Sequence, residues 1–200
     1  MNKKYQTTLK FYNEKSGEYA EKSGIVFHKF INLFISKVKN KKVLDIGCGP
    51  GHDTNYFFRN GINVIGVDAS VSMIDLAKIT YDKKIDFRVD DILDQSFFDR
   101  YIIKNVWISA VLMHFMKKDR EYFLRMLNKS MEENGILGMI LPKKTTEDSR
   151  KKNWLKFGGI FDTFSKKDII EMIKKSNFEI IELKCFNFHK HPWWFVICKK

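Results

Sequence analysis

Asp45-Ile46-Gly47-Cys48-Gly49-Pro50-Gly51 sets three glycines directly behind an acidic residue. Glycine lets a ligand come close to the main chain, and a loop leading from a strand into a helix offers it the free N–H groups of the helix start. Such a loop holds a nucleotide-type ligand. The dinucleotide fingerprint G-x-G-x-x-G would place its third glycine where this chain has His52. Asp45, two residues before the first glycine, repels a pyrophosphate and attracts a cation. Asp68, about twenty positions on, is placed to accept both hydroxyls of a ribose. A ribose is therefore expected and a pyrophosphate is not.

Other side chains could also do chemistry. His114 follows an apolar run, at a rim where its near-neutral pKa would suit taking a proton from an acceptor; packing or capping is an equal use for it. His189 and His191 alternate like strand residues but have no evident carboxylate or cysteine partner, so no metal is expected. Cys48, Cys185 and Cys198 form neither a disulfide framework nor a zinc spacing, which fits a reducing, cytoplasmic setting.

The elements that must position these residues alternate. Residues 5–38 show helical spacing twice, through Leu9, Tyr12 and Tyr19, then through Phe27, Phe30, Ile31, Phe34, Ile35 and Val38, with a break at Ser23-Gly24. Strands are expected at Lys42–Ile46, Ile62–Val67, Ile85–Val89, Val106–Ser109 and Ile136–Leu141, with helices at Thr54–Arg59, Val71–Ile79 and Lys117–Met131 between them. This alternation predicts a parallel sheet covered on both faces. Lys143–Lys156 is polar and reads as a loop. Ser165 and Asp168 form a capping box for a helix through Lys174, and Phe178–Phe186 with Trp193–Cys198 predict an antiparallel hairpin at the sheet edge.

Two hundred residues, 44% of them hydrophobic, suffice for one core. No apolar run reaches the ~18 residues that span a bilayer, and the N-terminus lacks the apolar stretch of a signal peptide, so no membrane association is expected. The net charge of +12 raises nucleic acid as a partner. The excess lies at the ends: residues 43–142 hold 12 basic against 14 acidic side chains, and only 6 of the 36 basic residues are Arg. Since Arg's planar fork is what phosphate and base recognition favours, a solvated surface is the reading adopted.

VLDIGCGPG, GVDAS with Met73 behind it, and FRVDDI closely resemble the cofactor motifs of class I S-adenosylmethionine-dependent methyltransferases. VWISAVLMHF and the NGIL turn continue the likeness, which covers roughly residues 10–198 and sits nearest small bacterial methyltransferases, including tellurite-resistance-like ones. The resemblance implies a Rossmann-like, doubly wound α/β fold, its seven-stranded sheet ordered 3-2-1-4-5-7-6 with the last strand antiparallel. It implies S-adenosyl-L-methionine as cofactor and S-adenosyl-L-homocysteine as product. Carried over by position, Gly47, Cys48 and Gly49 would line the methionine and ribose portions, Asp45 would hold the α-amino group, and Asp68, followed by Ala69, the ribose hydroxyls. Asp91 would meet the adenine amino group, a role that neighbouring Asp90 contests, with Ile92 and Met73 against the ring. Ser109 would offer its carbonyl to the methionine amine, and Tyr12 and Tyr19 would cover the sulfonium through cation–π attraction.

One domain over 1–200 is then expected: a helical cover (1–40), a cofactor-binding core (41–142), a variable substrate-side segment (143–165), and a helix with the C-terminal hairpin (166–200). The expected activity is methyl transfer to a small-molecule acceptor, an acidic one if the Lys-rich segments line the cleft. Methylation of RNA or another nucleic acid is the alternative, although strand four lacks an Asn/Asp-Pro-Pro-aromatic motif. A non-catalytic S-adenosylmethionine-binding module is the third.

Overall fold

Val43, Leu44 and Ile46 are buried, so their strand must be covered on both faces, the condition of a parallel sheet flanked by helices. In this computed structural model the strand is β1 (Lys42–Ile46), followed by β2 (Asn63–Asp68), β3 (Asp86–Val89), β4 (Val106–Ser109), β5 (Ile136–Pro142), β6 (Glu179–Phe188) and β7 (His191–Lys199). The structure describes residues 3–23, 27–146, 159–188 and 191–200. Among these, the seven strands form one sheet in the order β3-β2-β1-β4-β5-β7-β6, as the resemblance implied. β7 runs against β5 and β6; the other neighbours are parallel.

Period-two alternation sends neighbouring residues to opposite faces. Val43, Val64, Trp107 and Phe195 meet Ile31 and Phe34 of α3 (His28–Ile35) and Phe57 of α4 (His52–Arg59). Leu44, Ile108 and Met139 meet Phe123, Leu124 and Leu127 of α6 (Lys117–Ser130) and Ile169, Met172 and Ile173 of α7 (Lys166–Lys175). α5 (Val71–Thr80) buries Ile74 and Ala77 with Ile85 and Phe87. Strand order reverses between β1 and β4, and in such sheets ligands lie in the crevice beyond the strand ends at that point. α1 (Lys3–Glu14) and α2 (Ser16–Ser23) are the N-terminal elements, and α1 is tied to α5 because Asn13 Oδ1 accepts from the Ser70 hydroxyl (2.8 Å) and the Ser72 N–H (3.3 Å).

The boundaries depart from the sequence reading in instructive places. The first helical run is cut at Lys15 into α1 and α2. The third strand starts at Asp86 because the Ile85 N–H is spent on a turn to the Asp82 carbonyl. The hairpin extends to Phe188 and His191 and carries a register shift between Ile180 and Glu182. The capping box at Ser165 and Asp168 is formed. Residues 147–156 of the polar segment, Gly24 of the expected break, and His189 lie outside the described residues. Among the described residues no helix is long and apolar enough to cross a membrane.

Candidate functional site

β1 ends at Ile46, and the chain then folds back under its own glycines: the Gly47 and Cys48 N–H groups both donate to the Val67 carbonyl (2.7 and 3.0 Å), which ties the loop to β2. Asp68, at the end of β2, accepts from the Gly49 N–H at Oδ2 (2.9 Å) and from the Ser70 N–H at Oδ1 (2.8 Å). Burial raises its carboxyl above the ordinary range, and these two N–H groups oppose that rise. Ala110, after β4, adopts a left-handed φ of 57°, a strained conformation of the kind that clusters at functional sites.

Two adjoining chambers open beyond the strand ends, of about 100 and 180 Å³. Tyr19, Gly47, Gly49, Ser109 and Ala110 line both. The first continues past Asp68, Ala69, Met73 and Ile92 on one side, and past Tyr12, His114 and Phe115 on the other. Cys48 and Asp45 line only the second, together with Asp53, Phe27, Phe188 and Trp193. Asp90 lines the first chamber and Asp91 does not; Asp91 Oδ1 accepts from the Tyr5 hydroxyl (2.8 Å) and the Leu93 N–H (2.9 Å). The Asp90 carboxylate itself is taken by Arg100 and Tyr101.

Asp45 and Trp107 are register partners on β1 and β4 and face α4. From the first turn of α4, Thr54 donates to Asp45 Oδ2 (2.6 Å), and Asp53 Oδ2 accepts the Trp107 indole N–H (2.8 Å). Burial, then the neighbouring Asp53 charge, holds the Asp45 carboxyl well above its usual range. Burial also pushes Asp53 up to about 6, against the Trp107 and Ser109 donors. The Cys48 thiol is driven well up by burial and by Asp45, which makes it inert as a nucleophile.

His114 departs from the expected near-neutral pKa. It is buried, and burial pushes it down to about 4 against the Ile160 carbonyl. Its Nδ1 lies 2.9 Å from that carbonyl, which can only accept, so Nδ1 carries the proton. Nε2 therefore accepts from the Tyr12 hydroxyl, 2.8 Å away. Tyr12 meets Tyr19 edge to face at 5.2 Å, and burial raises both phenols, that of Tyr19 to about 12.

Among the described residues neither chamber is lined by Lys or Arg; residues 147–156 of the Lys-rich segment lie outside them. α1 turns Tyr5, Thr8, Leu9 and Tyr12 inward and leaves Lys3, Lys4 and Lys10 exposed. No group of three or more His, Cys, Asp or Glu among the described residues is placed to hold a metal.

A family model described as a methyltransferase domain matches residues 43–135. A ubiquinone biosynthesis O-methyltransferase of Pelagibacter ubique (strain HTCC1062) is 30% identical over an alignment of 168 positions that covers 76% of this chain and 67% of that protein. The chain belongs to the class I S-adenosylmethionine-dependent methyltransferases. Its fold is shared with the magnesium protoporphyrin IX methyltransferase of Synechocystis PCC 6803 solved with bound SAH, at a TM-score of 0.76 and 16% identity, over 98% of this chain and 99% of that one. It is shared equally with the 1,6-didemethyltoxoflavin-N1-methyltransferase of Burkholderia thailandensis, solved with 1,6-didemethyltoxoflavin and S-adenosylhomocysteine. That match has a TM-score of 0.75 at 14% identity, over 98% of this chain and 86% of that one. The cofactor of this methyltransferase is S-adenosylmethionine.

The crevice has room where that cofactor needs it. A Cβ built on Gly49, whose φ is 53°, would meet no protein atom within 4 Å, so the space above the loop is left for a ligand. The methyltransferase also has residues at the site that motif reading missed. Tyr5 stands seven positions before Tyr12, as Tyr12 does before Tyr19, a spacing that could have revealed it. Asp53 occupies the first turn of a helix, where an acid ordinarily signals only the helix dipole.

Proposed function

We propose that this methyltransferase acts on a small-molecule acceptor that carries no net negative charge. The observation that carries the reading is the closure of α1 over the crevice. Tyr5 is tied to Asp91, Tyr12 to His114, Asn13 to Ser70, and the Thr8 hydroxyl accepts the Ile160 N–H (3.2 Å). A roofed cleft on this scale suits a small ligand rather than a polymer. Walls that are acidic and aromatic, without a described Lys or Arg, suit a neutral acceptor. In this reading residues 1–40 cover the site, 41–142 hold the cofactor, 143–165 select the acceptor, and 166–200 complete the sheet.

Bound S-adenosylmethionine supplies an electrophilic methyl on a sulfonium. Asp68 binds the ribose hydroxyls, Met73 and Ile92 flank the adenine, and Asp91 meets its amino group while Tyr5 fixes the carboxylate. Gly47, Cys48 and Gly49 line the ribose and methionine portions, Asp45 takes the α-amino group together with the Ser109 carbonyl, and Ala69 supports Asp68. Tyr12 and Tyr19 cover the sulfonium, where ring faces attract its charge. Alignment and exclusion of water do most of the catalytic work. Where the acceptor loses a proton, Tyr12 receives it and passes its own to His114 Nε2, so His114 acts through Tyr12.

The test is transfer of labelled methyl from S-adenosylmethionine into cell extract split into a sub-kilodalton fraction and an RNA fraction. Label is expected in the small-molecule fraction. Label in RNA favours the nucleic-acid reading, and cofactor binding without label in either favours a non-catalytic module.

A further inference from the structure

Asp53 is a half-buried acid on the wall of the second chamber with no role in the cofactor contacts assigned so far. It lies on α4 above the β1–β4 seam, where the register of Asp45 with Trp107 places both side chains on the face that α4 covers. Each carboxylate is fixed by its own donor, Asp45 by Thr54 and Asp53 by Trp107, and both line the second chamber. Two desolvated acids raise each other's affinity for a proton, so the pair calls for a cation between them. No Lys or Arg among the described residues lines that chamber.

We propose that Asp53 is the second anionic partner of the α-ammonium on the cofactor's methionyl tail, so that two carboxylates face this group in place of one. The assignment rests on the reading that the tail runs along Gly47–Gly49 toward Asp45. The α-ammonium is the cation in reach of both acids, and the second carboxylate lets a chamber without basic walls bind it tightly. An acid in the first turn of a helix can instead serve only the helix dipole, but such an acid needs neither an indole donor nor a place on a chamber wall beside a second acid. Among the described residues, the other titratable groups around Asp53 in that chamber are Tyr19 of α2, Cys48 of the glycine loop, and His52, which is hydrogen-bonded to Tyr81 (2.6 Å); none of them supplies a permanent positive charge.

The experiment is calorimetric titration of the full chain and of Asp53→Asn with S-adenosylhomocysteine and with 5′-methylthioadenosine, which shares the nucleoside and sulfur but lacks the amino acid. Asparagine still accepts from Trp107, so the variant keeps the local contact. At pH 7.5 Asp53→Asn is expected to weaken S-adenosylhomocysteine about tenfold or more and methylthioadenosine less than twofold. Between pH 7.5 and 5.0 the wild-type affinity for S-adenosylhomocysteine should fall about tenfold as Asp53 protonates, with a flatter dependence in the variant. Equal losses for the two ligands, or unchanged binding of S-adenosylhomocysteine, overturn the proposal. If the wild type binds both ligands equally well, the placement of the tail fails instead.

Discussion

His114 and Asp53 carry opposite pH signatures, because burial disfavours the charged form of each. His114 has a folded-state pKa of about 4, below the ordinary 6.5, so its contribution to stability is complete above pH 6.5 and is lost as pH falls toward 4. Asp53, raised to about 6, contributes stability below its ordinary 3.8 that is lost as pH rises through 6. Denaturant melts of the ligand-free protein between pH 7 and 4 should therefore show the His114→Gln variant losing less stability than wild type on acidification, by up to about 3 kcal/mol. Parallel curves would mean that His114 is not held neutral by burial. Turnover of the wild type should likewise show no ionisation near 6.5 assignable to His114, and a limb there that vanishes in His114→Gln would contradict the depressed pKa of its buried imidazole. None of this was legible at position 114 alone. The groups that bury and tie the imidazole are Tyr12 and Ile160, 102 and 46 residues away. Asp53, on α4, was hidden for the same reason, since its partner Trp107 arrives from β4.

At the scale of elements, the passage from β1 into α4 is the part most tightly specified by local chemistry. Gly51 caps α4 with φ 87°, and a Cβ there would stand 2.7 Å from the Phe87 ring. Gly51→Ala should cost about 2–4 kcal/mol, from left-handed strain and overpacking together, and chemical denaturation measures it. A loss below about 0.5 kcal/mol would show that the loop relaxes freely. β1, β2 and β5 were legible because each is a short apolar run bounded by glycine or Asn-Gly, and α5 and α7 because Ser70 and Ser165 announce their starts. The cut at Lys15 was not, since Tyr12 and Tyr19 keep one helical spacing through it. What sets that cut is tertiary: α1 is anchored by Asn13 to α5 and by Tyr12 to His114.

For the whole molecule, the reversal of strand order between β1 and β4 puts the glycine loop, the acid ending β2 and the end of β4 around one crevice, and α1 roofs it. The sheet order followed from the family resemblance and the terminal hairpin from its own pattern. The acceptor's charge was not legible, because net charge says nothing about which way lysines point. The described lysines of α1 lie on the surface, and screening by salt should leave small-molecule methylation nearly unchanged between 50 and 200 mM, a range over which phosphate contacts would lose about 10³-fold or more. The central claim is that the crevice between Gly49 and Asp68 holds the cofactor's nucleoside. Calorimetric titration of S-adenosylhomocysteine into wild type and Asp68→Ala tests it most directly. One site per chain is expected, with no comparable affinity for a nicotinamide dinucleotide and a loss of roughly 1.5–3 kcal/mol in the folded variant; an unchanged dissociation constant in Asp68→Ala would mean that the nucleoside does not bind there.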